Sequence, residues 1–563
     1  MKVSIRRPDD VPDGTPMAVS LRSTAELATG TWRTFRPLYV TRPSPCNLDC
    51  PAGTDVRSFL TLAAAGDAAA AWRTILRHNP LPGVCGRVCY HPCESGCNRG
   101  AVDTAVAVHA VERAVASEAE RMDVGRELTA SRAPSSGRHV AVVGSGPAGL
   151  SCAYHLALRG HTVTIFEAAD EPGGMLRYGI PEYRLPRYVL DDEIAQILSF
   201  PVTIRTRMRL GDQLRWDGLG RFDAVFLAVG IQRSKAAGVP GEDLRGVAPG
   251  LSFLRDVNAG RPARVSGRVV VIGGGNTAMD VARVALRQDA EVTVVYRRSR
   301  AEMPAHPDEI AQAEREGVRF EFHAMPLRFV GRGGTLQGAR FQRTRPGPPD
   351  ASGRRRPEPI PGATFNVRCE HAFTAIGEEL ETEAVAAIAD VAKGRITADR
   401  WGRTATAPLF AGGDAATGAG TVVEAIGSGR RAAEAISAWL AGAELEGDAS
   451  TGDRVVADDL NLFYFGRSPR VRVPMLHRTY ATTSFREVAG GLFWQEASAE
   501  ARRCLACGSC DECGNCHLFC PDASVRRAAA GGFEIDYLHC KGCGICVAEC
   551  PRGAMTLVAE EAR

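Results

Sequence analysis

A short glycine-rich stretch decides the fold: residues 139–150 read HVAVVGSGPAGL. Its β-branched first half predicts a strand over residues 139–143, and the glycine turn predicts a helix that continues to Arg159. A second strand is predicted over residues 162–166. The order strand, glycine turn, helix, strand is typical of a βαβ unit with parallel strands and helices on the faces of the sheet.

Each glycine of this turn has a physical role in binding a dinucleotide. Gly144 permits the tight turn, Gly146 leaves room for a pyrophosphate, and Gly149 lets helix and strand pack closely. The helix N-terminus then offers unpaired N–H groups to the phosphates. Glu167 lies 21 positions after Gly146 and suits a ribose hydroxyl pair. This context favours a dinucleotide site over a glycine turn without function.

The same order of elements returns over residues 268–295. The motif of this second unit has three positions: Gly273, Gly275 and Ala278, where alanine is an accepted variant of the third glycine. The position that matches Glu167 holds Arg297 and Arg298. Two guanidinium groups suit a 2′-phosphate, so NADP(H) is favoured over NAD(H), with a solvated basic run as the alternative. Two such units indicate one tightly held flavin and one exchangeable nicotinamide.

Composition narrows the class of protein. The chain has 563 residues, 45% of them apolar and 24% charged, with a formal charge of +3. This length predicts about three to five domains, and the balanced charge gives no reason to expect a nucleic acid partner. No stretch approaches the ~20 apolar residues of a membrane helix, and we expect no secretory signal from the polar first residues. A cytoplasmic, reducing location is expected, where the 18 cysteines favour metal binding over disulfides.

Ten cysteines lie near the C-terminus, and eight of them repeat the spacing C-x2-C-x2-C-x3-C-P. This spacing is typical of two-cluster bacterial ferredoxins, in which the fourth cysteine of each run ligates the other 4Fe-4S cluster. One cluster is predicted to use Cys510, Cys513, Cys516 and Cys550, and the other Cys540, Cys543, Cys546 and Cys520. Zinc, the alternative, would leave the spacing unexplained. Cys504 and Cys507 are left over as extra ligands, buried thiols or part of another cluster.

Six further cysteines lie near the N-terminus, on either side of residues 56–78, which predict two short helices broken at residues 66–67. Five of them are predicted ligands of at least one N-terminal 4Fe-4S cluster: Cys46, Cys50, Cys89, Cys93 and Cys97. Cys85 is the weakest candidate. A reduced helical domain lined with thiols is the alternative.

Together these motifs resemble the flavoproteins with two dinucleotide-binding domains and, more narrowly, the small subunit of glutamate synthase and its relatives. The resemblance covers roughly residues 40–440 and includes EPGGML at residues 171–176 and FAGGD at residues 410–414. It implies FAD at the first glycine motif and NADPH at the second. It also implies further FAD contacts at Gly174, Met175, Gly413, Asp414, Thr421 and Val422.

The N-terminal cysteines resemble those of glutamate synthase small subunits and dihydropyrimidine dehydrogenase, where they serve iron-sulfur clusters. The Cys-x2-Cys-x4-Cys that precedes Cys46 in that pattern is absent here. The resemblance places Glu112 at the position of a rare carboxylate or amide ligand. Residues 500–507 resemble the segment that starts this cluster motif, which raises the hypothesis that Cys504 and Cys507 help to ligate an N-terminal cluster in space.

The expected fold class is α/β: two nested Rossmann-like dinucleotide-binding domains, preceded by a helical iron-sulfur domain and followed by a small ferredoxin-like α+β domain. Within it, residues 1–40 are expected to be irregular, and residues 343–361 to form a surface excursion. The predicted boundaries are 1–130 for the N-terminal arm and helical iron-sulfur domain, 138–235 and 365–445 for the two parts of the FAD domain, 236–364 for the NADPH domain, 446–500 for a connector, and 501–563 for the ferredoxin domain.

A flavin exchanges both electron pairs and single electrons, so it belongs between NADPH and the clusters. The expected protein is an NADPH-linked, FAD and iron-sulfur oxidoreductase in a hetero-oligomer, with a ferredoxin or a larger redox enzyme subunit as partner and no side chain acting as acid, base or nucleophile. Three alternatives remain: a glutamate synthase small subunit proper, a disulfide reductase of the thioredoxin reductase type, and a non-catalytic scaffold. The fused ferredoxin weighs against the glutamate synthase small subunit, and the lack of a central Cys-x2-Cys weighs against the disulfide reductase. The presence of Glu167 and Asp414 weighs against the scaffold.

Overall fold

The computed structural model describes residues 28–124, 132–350, 353–418, 420–445 and 453–560. Residues 1–27 of the expected N-terminal arm lie outside the described residues. The helices are α1 (Pro45–Leu48), α2 (Val56–Ala64), α3 (Ala68–Leu76), α4 (Pro82–Val88), α5 (Pro92–Ser95), α6 (Val108–Arg121), α7 (Pro147–Leu158), α8 (Met175–Tyr178), α9 (Arg187–Leu198), α10 (Gly250–Asn258), α11 (Asn276–Leu286), α12 (Pro307–Glu316), α13 (Asp414–Thr417), α14 (Val422–Ala441), α15 (Arg478–Thr483), α16 (Trp494–Ala501), α17 (Asn515–Leu518) and α18 (Ile545–Ala548).

The strands form two large parallel sheets and several small antiparallel ones. They are β1 (Phe35–Tyr39), β2 (His139–Val143), β3 (Thr162–Phe166), β4 (Val202–Arg205), β5 (Ala224–Leu227), β6 (Arg233–Ser234), β7 (Val247–Pro249), β8 (Gly267–Ile272), β9 (Ala290–Tyr296), β10 (Arg319–Phe322), β11 (Ala324–Arg332), β12 (Thr335–Pro349), β13 (Arg355–Arg368), β14 (His371–Thr374), β15 (Glu378–Glu379), β16 (Val391–Ala392), β17 (Arg395–Ile396), β18 (Leu409–Ala411), β19 (Val525–Arg527), β20 (Phe533–Ile535) and β21 (Met555–Ala559).

The first nucleotide unit is a parallel sheet with the order β18-β5-β2-β3-β4. Strands β2 and β3, with α7 between them, confirm the predicted βαβ unit. The outer strand β18 comes from the far side of the second unit, where it pairs with β5. The second unit is therefore inserted into the first, as the nested arrangement requires.

The second nucleotide unit is also a parallel sheet, with the order β10-β9-β8-β14-β7. Strand β14 lies between β8 and β7 and pairs with both. The predicted boundary at residue 365 is therefore too early, because the sheet continues to Thr374. The short pair β6 and β15 marks the two crossings between the units.

A three-stranded antiparallel sheet, β11-β12-β13, extends from the second unit. Residues 343–361, expected as an excursion, belong mostly to the long strands β12 and β13. Many of their side chains are exposed, so the Pro-, Gly- and Arg-rich composition reflects a solvated β-hairpin.

The two ends of the chain are joined. Strand β1 pairs antiparallel with β21 over its full length, and Arg33 forms an ion pair with Glu560 at 2.7 Å. The expectation of an irregular lead-in is therefore wrong for residues 35–39, which complete the ferredoxin-like unit. Helix α16, from the expected connector, packs on α2 and α6 of the N-terminal helical unit. The end of the connector therefore packs against the N-terminal helical unit.

The predicted helices around the N-terminal cysteines are confirmed as α2 and α3, with the break at Gly66 and Asp67. Each begins with an aspartate whose side chain accepts a backbone N–H, which caps the helix. Their apolar faces join one core with α7 and α14 of the first nucleotide unit. Among the described residues, no helix combines the length and the apolar character needed to cross a membrane.

Candidate functional site

A cavity of about 1060 Å³ lies between the two nucleotide units and is lined by both glycine motifs. Its size is at the upper end of the range for small-molecule sites. The turn from β2 to α7 forms one wall, and the turn from β8 to α11 forms the opposite wall. Two dinucleotides that bound these motifs would meet in one space.

The first motif has the close backbone approaches that its glycines require. Gly144 has a φ of 105°, and a Cβ there would lie 2.3 Å from the carbonyl oxygen of Ala228. A Cβ on Gly149 would lie 2.0 Å from the carbonyl oxygen of Gly144, so this glycine serves helix packing behind the cavity. Gly146 faces open space at the cavity wall. The motif therefore leaves a cradle that one added methyl group would fill.

Glu167 is buried at the end of β3 and lines the same cavity. Its carboxylate accepts the backbone N–H of Ser145 at 2.9 Å and that of Ala169 at 2.7 Å. These bonds hold it beside the glycine turn. A carboxylate fixed there suits the ribose hydroxyls of a dinucleotide.

The residues that family resemblance assigns to FAD converge on this cavity. All six line it: Gly174, Met175, Gly413, Asp414, Thr421 and Val422. Helix α14 begins there, with a capping box in which Thr421 and Glu424 bond reciprocally. Burial, together with the nearby Glu424 carboxylate, raises the pKa of Asp414 to about 6. These groups fit the polar and anionic parts of a flavin nucleotide.

The second motif repeats this geometry. A Cβ on Gly273 would lie 2.1 Å from the carbonyl oxygen of Ala375, whereas Gly275 faces open space in the cavity wall. Ala278 is fully buried and serves packing rather than contact with a ligand. The second motif therefore fits a dinucleotide at its helix N-terminus in the same way as the first.

The structure distinguishes the two arginines predicted to bind a 2′-phosphate. Arg297 is exposed and lines the cavity. Arg298 also reaches the wall, but it is buried, pairs with Asp350 at 2.7 Å and donates to the carbonyl oxygen of Arg355 at 2.7 Å. Arg297 is thus the guanidinium oriented for a ligand, and Arg298 ties β9 to the β12–β13 hairpin.

Sequence reasoning missed Arg184 and Tyr90, which also line the cavity. Arg184 pairs with Asp280 at 2.8 Å and with Glu309 at 2.7 Å, and it donates to the Tyr90 hydroxyl at 3.3 Å. It thereby joins both nucleotide units to the N-terminal helical unit. No motif marks these residues, because their partners are distant in sequence.

The N-terminal cysteines separate into two groups in space. In the first group, burial raises the pKa of the Cys46 thiol, and the thiols of Cys504, Cys97 and Cys507 raise it further. Burial raises the pKa of Cys504, and the thiols of Cys507 and Cys97 raise it further; burial and the Cys97 thiol likewise raise the pKa of Cys507. The structure thus brings the two leftover cysteines from the C-terminal region beside Cys46 and Cys97.

In the second group, Cys50, Cys89 and Cys93 lie together near Glu112. Burial raises the pKa of Glu112 to about 8, and its carboxyl accepts a hydrogen bond from Asn79 at 3.0 Å. Cys85 is also buried nearby. This donor set offers three thiols and one carboxyl group.

The eight C-terminal cysteines also fall into two groups. Cys513 and Cys516 lie near Cys550, and Cys516 also lies near Cys510. Cys540 and Cys546 lie near Cys520 and Cys543. The fourth cysteine of each run therefore lies with the first three of the other run, which is the grouping that the spacing predicts. Four thiols in each group fit a 4Fe-4S cluster.

Cys152 and Cys369 are fully buried and lie apart from these groups, in the first and second nucleotide units. They therefore belong to the hydrophobic cores.

Two nucleotide motifs that face one cavity, in a chain that also carries cysteine groups suited to iron and sulfur, define a redox protein linked to a pyridine nucleotide. The chain belongs to the pyridine nucleotide-disulphide oxidoreductase family, whose model matches residues 138–429. Two iron-sulfur models also match: dihydropyrimidine dehydrogenase domain II, 4Fe-4S cluster, over residues 34–124, and a 4Fe-4S binding domain over residues 533–556.

Similar proteins match most of this chain. The NADP(+)-dependent formate dehydrogenase subunit beta of Moorella thermoacetica is 41% identical over 84% of this chain and 71% of its own length. The NADPH-Fe(3+) oxidoreductase subunit beta of Geobacter sulfurreducens is 39% identical over 82% of this chain and 75% of its own. The glutamate synthase [NADPH] small chain of Escherichia coli is 34% identical over 70% of this chain and 88% of its own.

Proposed function

We propose that this chain is the NADPH- and FAD-binding electron-transfer subunit of a larger redox enzyme, with NADPH at one end of an internal path and a C-terminal ferredoxin-like unit at the other. The observation that carries this proposal is one cavity that is lined by both nucleotide motifs and by Val88 and Tyr90, the two neighbours of Cys89. The names of the similar proteins support NADPH as the coenzyme and a place beside other subunits.

Different residues of the cavity would bind the two cofactors. The first motif and Glu167 would hold the FAD pyrophosphate and ribose, and Asp414 with the start of α14 would hold its ribityl chain and ring. The second motif would hold the pyrophosphate of NADPH, and Arg297 would bind its 2′-phosphate. A bound flavin supplies the exchange between electron pairs and single electrons.

The cysteine groups continue from the cavity to the surface. Val88 and Tyr90 line the cavity and flank Cys89, so the second N-terminal group adjoins the flavin site. The proposed N-terminal ligands are Cys46, Cys50, Cys89, Cys93 and Cys97, and the proposed C-terminal ligands are the two groups of four. This order gives single electrons a protein-enclosed route to the C-terminal unit.

The C-terminal unit presents a surface suited to a redox partner. The thiols of Cys510, Cys513 and Cys543 are exposed. Leu518 and Leu538 nearby are exposed to 74% and 70%. Exposed apolar side chains around a cluster favour the docking of another protein. We infer a ferredoxin or a larger redox subunit as the partner, and hence a hetero-oligomer.

A disulfide exchange reaction has less support. Cys152 and Cys369, in the two nucleotide units, are fully buried and lie in separate cores. Neither is placed to attack a disulfide at the cavity.

An anaerobic spectrum tests the proposal. The purified chain should contain about one FAD, and it should show flavin bands over a broad cluster absorbance. NADPH should bleach the flavin bands, and NADH should do so only at much higher concentration. Absence of flavin, or equal response to the two coenzymes, would contradict the assignment.

A further inference from the structure

We propose that Cys46, Cys97, Cys504 and Cys507 together hold one 4Fe-4S cluster, with two ligands from each end of the chain. This inference rests on the proposed function only for the class of cofactor. The inference adds to the proposed function a ligand set that combines the N-terminal helical unit with the segment between α16 and the ferredoxin-like unit.

Three of the four sulfur atoms have a polar neighbour, and one of these contacts joins the two ends of the chain. Asn98, next to Cys97, has its side-chain amide 3.6 Å from Cys507 Sγ and donates to the carbonyl oxygen of Val455 at 3.1 Å. The backbone N–H of Ala506 donates to Cys504 Sγ at 3.4 Å. Ser44 Oγ lies 3.3 Å from Cys46 Sγ. Hydrogen bonds of this kind stabilise and tune thiolates that bind iron.

A network of ion pairs and backbone contacts holds the two ends of the chain in place. Arg99 donates to the carbonyl oxygen of Arg503 at 3.2 Å, and both arginines pair with Asp103. Arg57 on α2 donates to the carbonyl oxygen of Cys507 at 3.3 Å. The neighbours of Cys97 therefore bind directly to the neighbours of Cys504. The backbone N–H of Arg42, four residues before Cys46, donates to the carbonyl oxygen of Gly508, next to Cys507, at 2.9 Å, which holds the Cys46 segment against the same place.

The chemistry of the donor set indicates a metal cluster. Cys507 is buried in a small cluster with Val455 and Leu505. The other three thiols are half-buried and pack against the core of the N-terminal helical unit. Four thiols facing one another in a buried site become thiolates when a metal neutralises their charge. Four cysteine ligands are the usual set for a 4Fe-4S cluster.

The position of the site also connects the other groups. Cys46 is four residues before Cys50 of the second N-terminal group, and Cys507 is three residues before Cys510 of the first C-terminal group. The proposed cluster therefore lies between the cysteine group beside the cavity and the ferredoxin-like unit.

Iron content tests the assignment directly. The double variant Cys504→Ser, Cys507→Ser of the full chain, purified anaerobically, should lose about four iron atoms per chain. Adding Cys46→Ser should remove no further iron, because all three residues serve one cluster. The matched control, Cys152→Ser with Cys369→Ser, replaces two buried thiols outside the cysteine groups and should retain all iron. Full iron content in the first variant would overturn the proposal.

A second variant covers the case in which the double variant fails to fold and loses flavin with its iron. Cys507→Ala alone should leave a three-cysteine site that holds a three-iron cluster, which gives an EPR signal in the oxidised state that four-iron clusters lack. No such signal and unchanged iron would overturn the proposal. Bleaching of the unaltered protein by NADPH tests the proposed function separately, since the iron count needs no coenzyme.

Discussion

Replacing Arg297 with alanine should convert a protein selective for NADPH into one with little preference between NADPH and NADH. Arg297 is exposed at the cavity wall, whereas the neighbouring Arg298 is held by Asp350. Hydrogen bonds to a charged group contribute about 1.5–3 kcal/mol. Because about 1.4 kcal/mol corresponds to a tenfold change, the dissociation constant for NADPH should rise about 10- to 150-fold. NADH lacks the 2′-phosphate, so its binding should change little.

The assay is an anaerobic titration of flavin bleaching with each coenzyme, with the dissociation constant taken from the dependence of the bleaching rate on coenzyme concentration. Arg298→Ala is the matched control. It removes a guanidinium of the same charge that is tied to the hairpin, so it should weaken NADPH and NADH binding by similar factors. An equal loss for both coenzymes in Arg297→Ala would refute the assignment of Arg297 to the 2′-phosphate.

Three further predictions follow from the geometry. Gly146→Ala should fold but lose FAD, because the added Cβ meets no protein atom within 4 Å and enters the cavity. The control Gly218→Ala adds a Cβ that is equally free of contacts but lies away from the cavity, so this variant should retain FAD. The flavin released on denaturation measures the FAD content of both variants, and equal content would contradict the role of Gly146. Arg184→Met should cost about 3–5 kcal/mol in the free energy of unfolding, since it leaves the buried carboxylate of Asp280 without an ion pair and removes one of the two ion pairs of Glu309, whose other partner is Arg283. Arg300→Met, which breaks an exposed pair, should leave the denaturant midpoint nearly unchanged, and similar midpoints for the two variants would argue against a junction at Arg184. Burial raises the pKa of Glu193 from 4.5 to about 8, so the folded state holds this proton more tightly than the unfolded state, and its contribution to stability should fall as pH rises from about 4.5 to about 8. Glu193→Gln should flatten that part of the pH profile of unfolding, and an unchanged profile would show that the carboxyl titrates normally.

The parallel nucleotide units could be predicted from the sequence because their signals are local. The strand β2, the glycine turn and α7 follow one another within 20 residues, and each reports its own conformation through β-branching, glycine or apolar spacing. The repeated cysteine spacing near the C-terminus is equally local. Such elements can be predicted from the local sequence alone, without knowledge of their tertiary contacts.

The long-range pairings could not be predicted. Strand β1 has only five residues, one of which is a proline, and its partner β21 begins more than 500 positions later. No local pattern therefore indicates that the two strands pair. Strand β14 joins the second sheet by its position between β8 and β7 rather than by a distinctive composition. Arg184 pairs with carboxylates on α11 and α12, and these helices come close to Arg184 only when the two nucleotide units pack together.

We expect the cavity and the cysteine groups to form one electron path. Low-temperature EPR of the anaerobic full-length chain after addition of NADPH tests it most directly, with dithionite-reduced protein as the reference for fully reduced clusters. NADPH should bleach the flavin and then produce cluster signals that dithionite also produces. Flavin bleaching with no cluster signal, in a sample whose clusters dithionite does reduce, would contradict it.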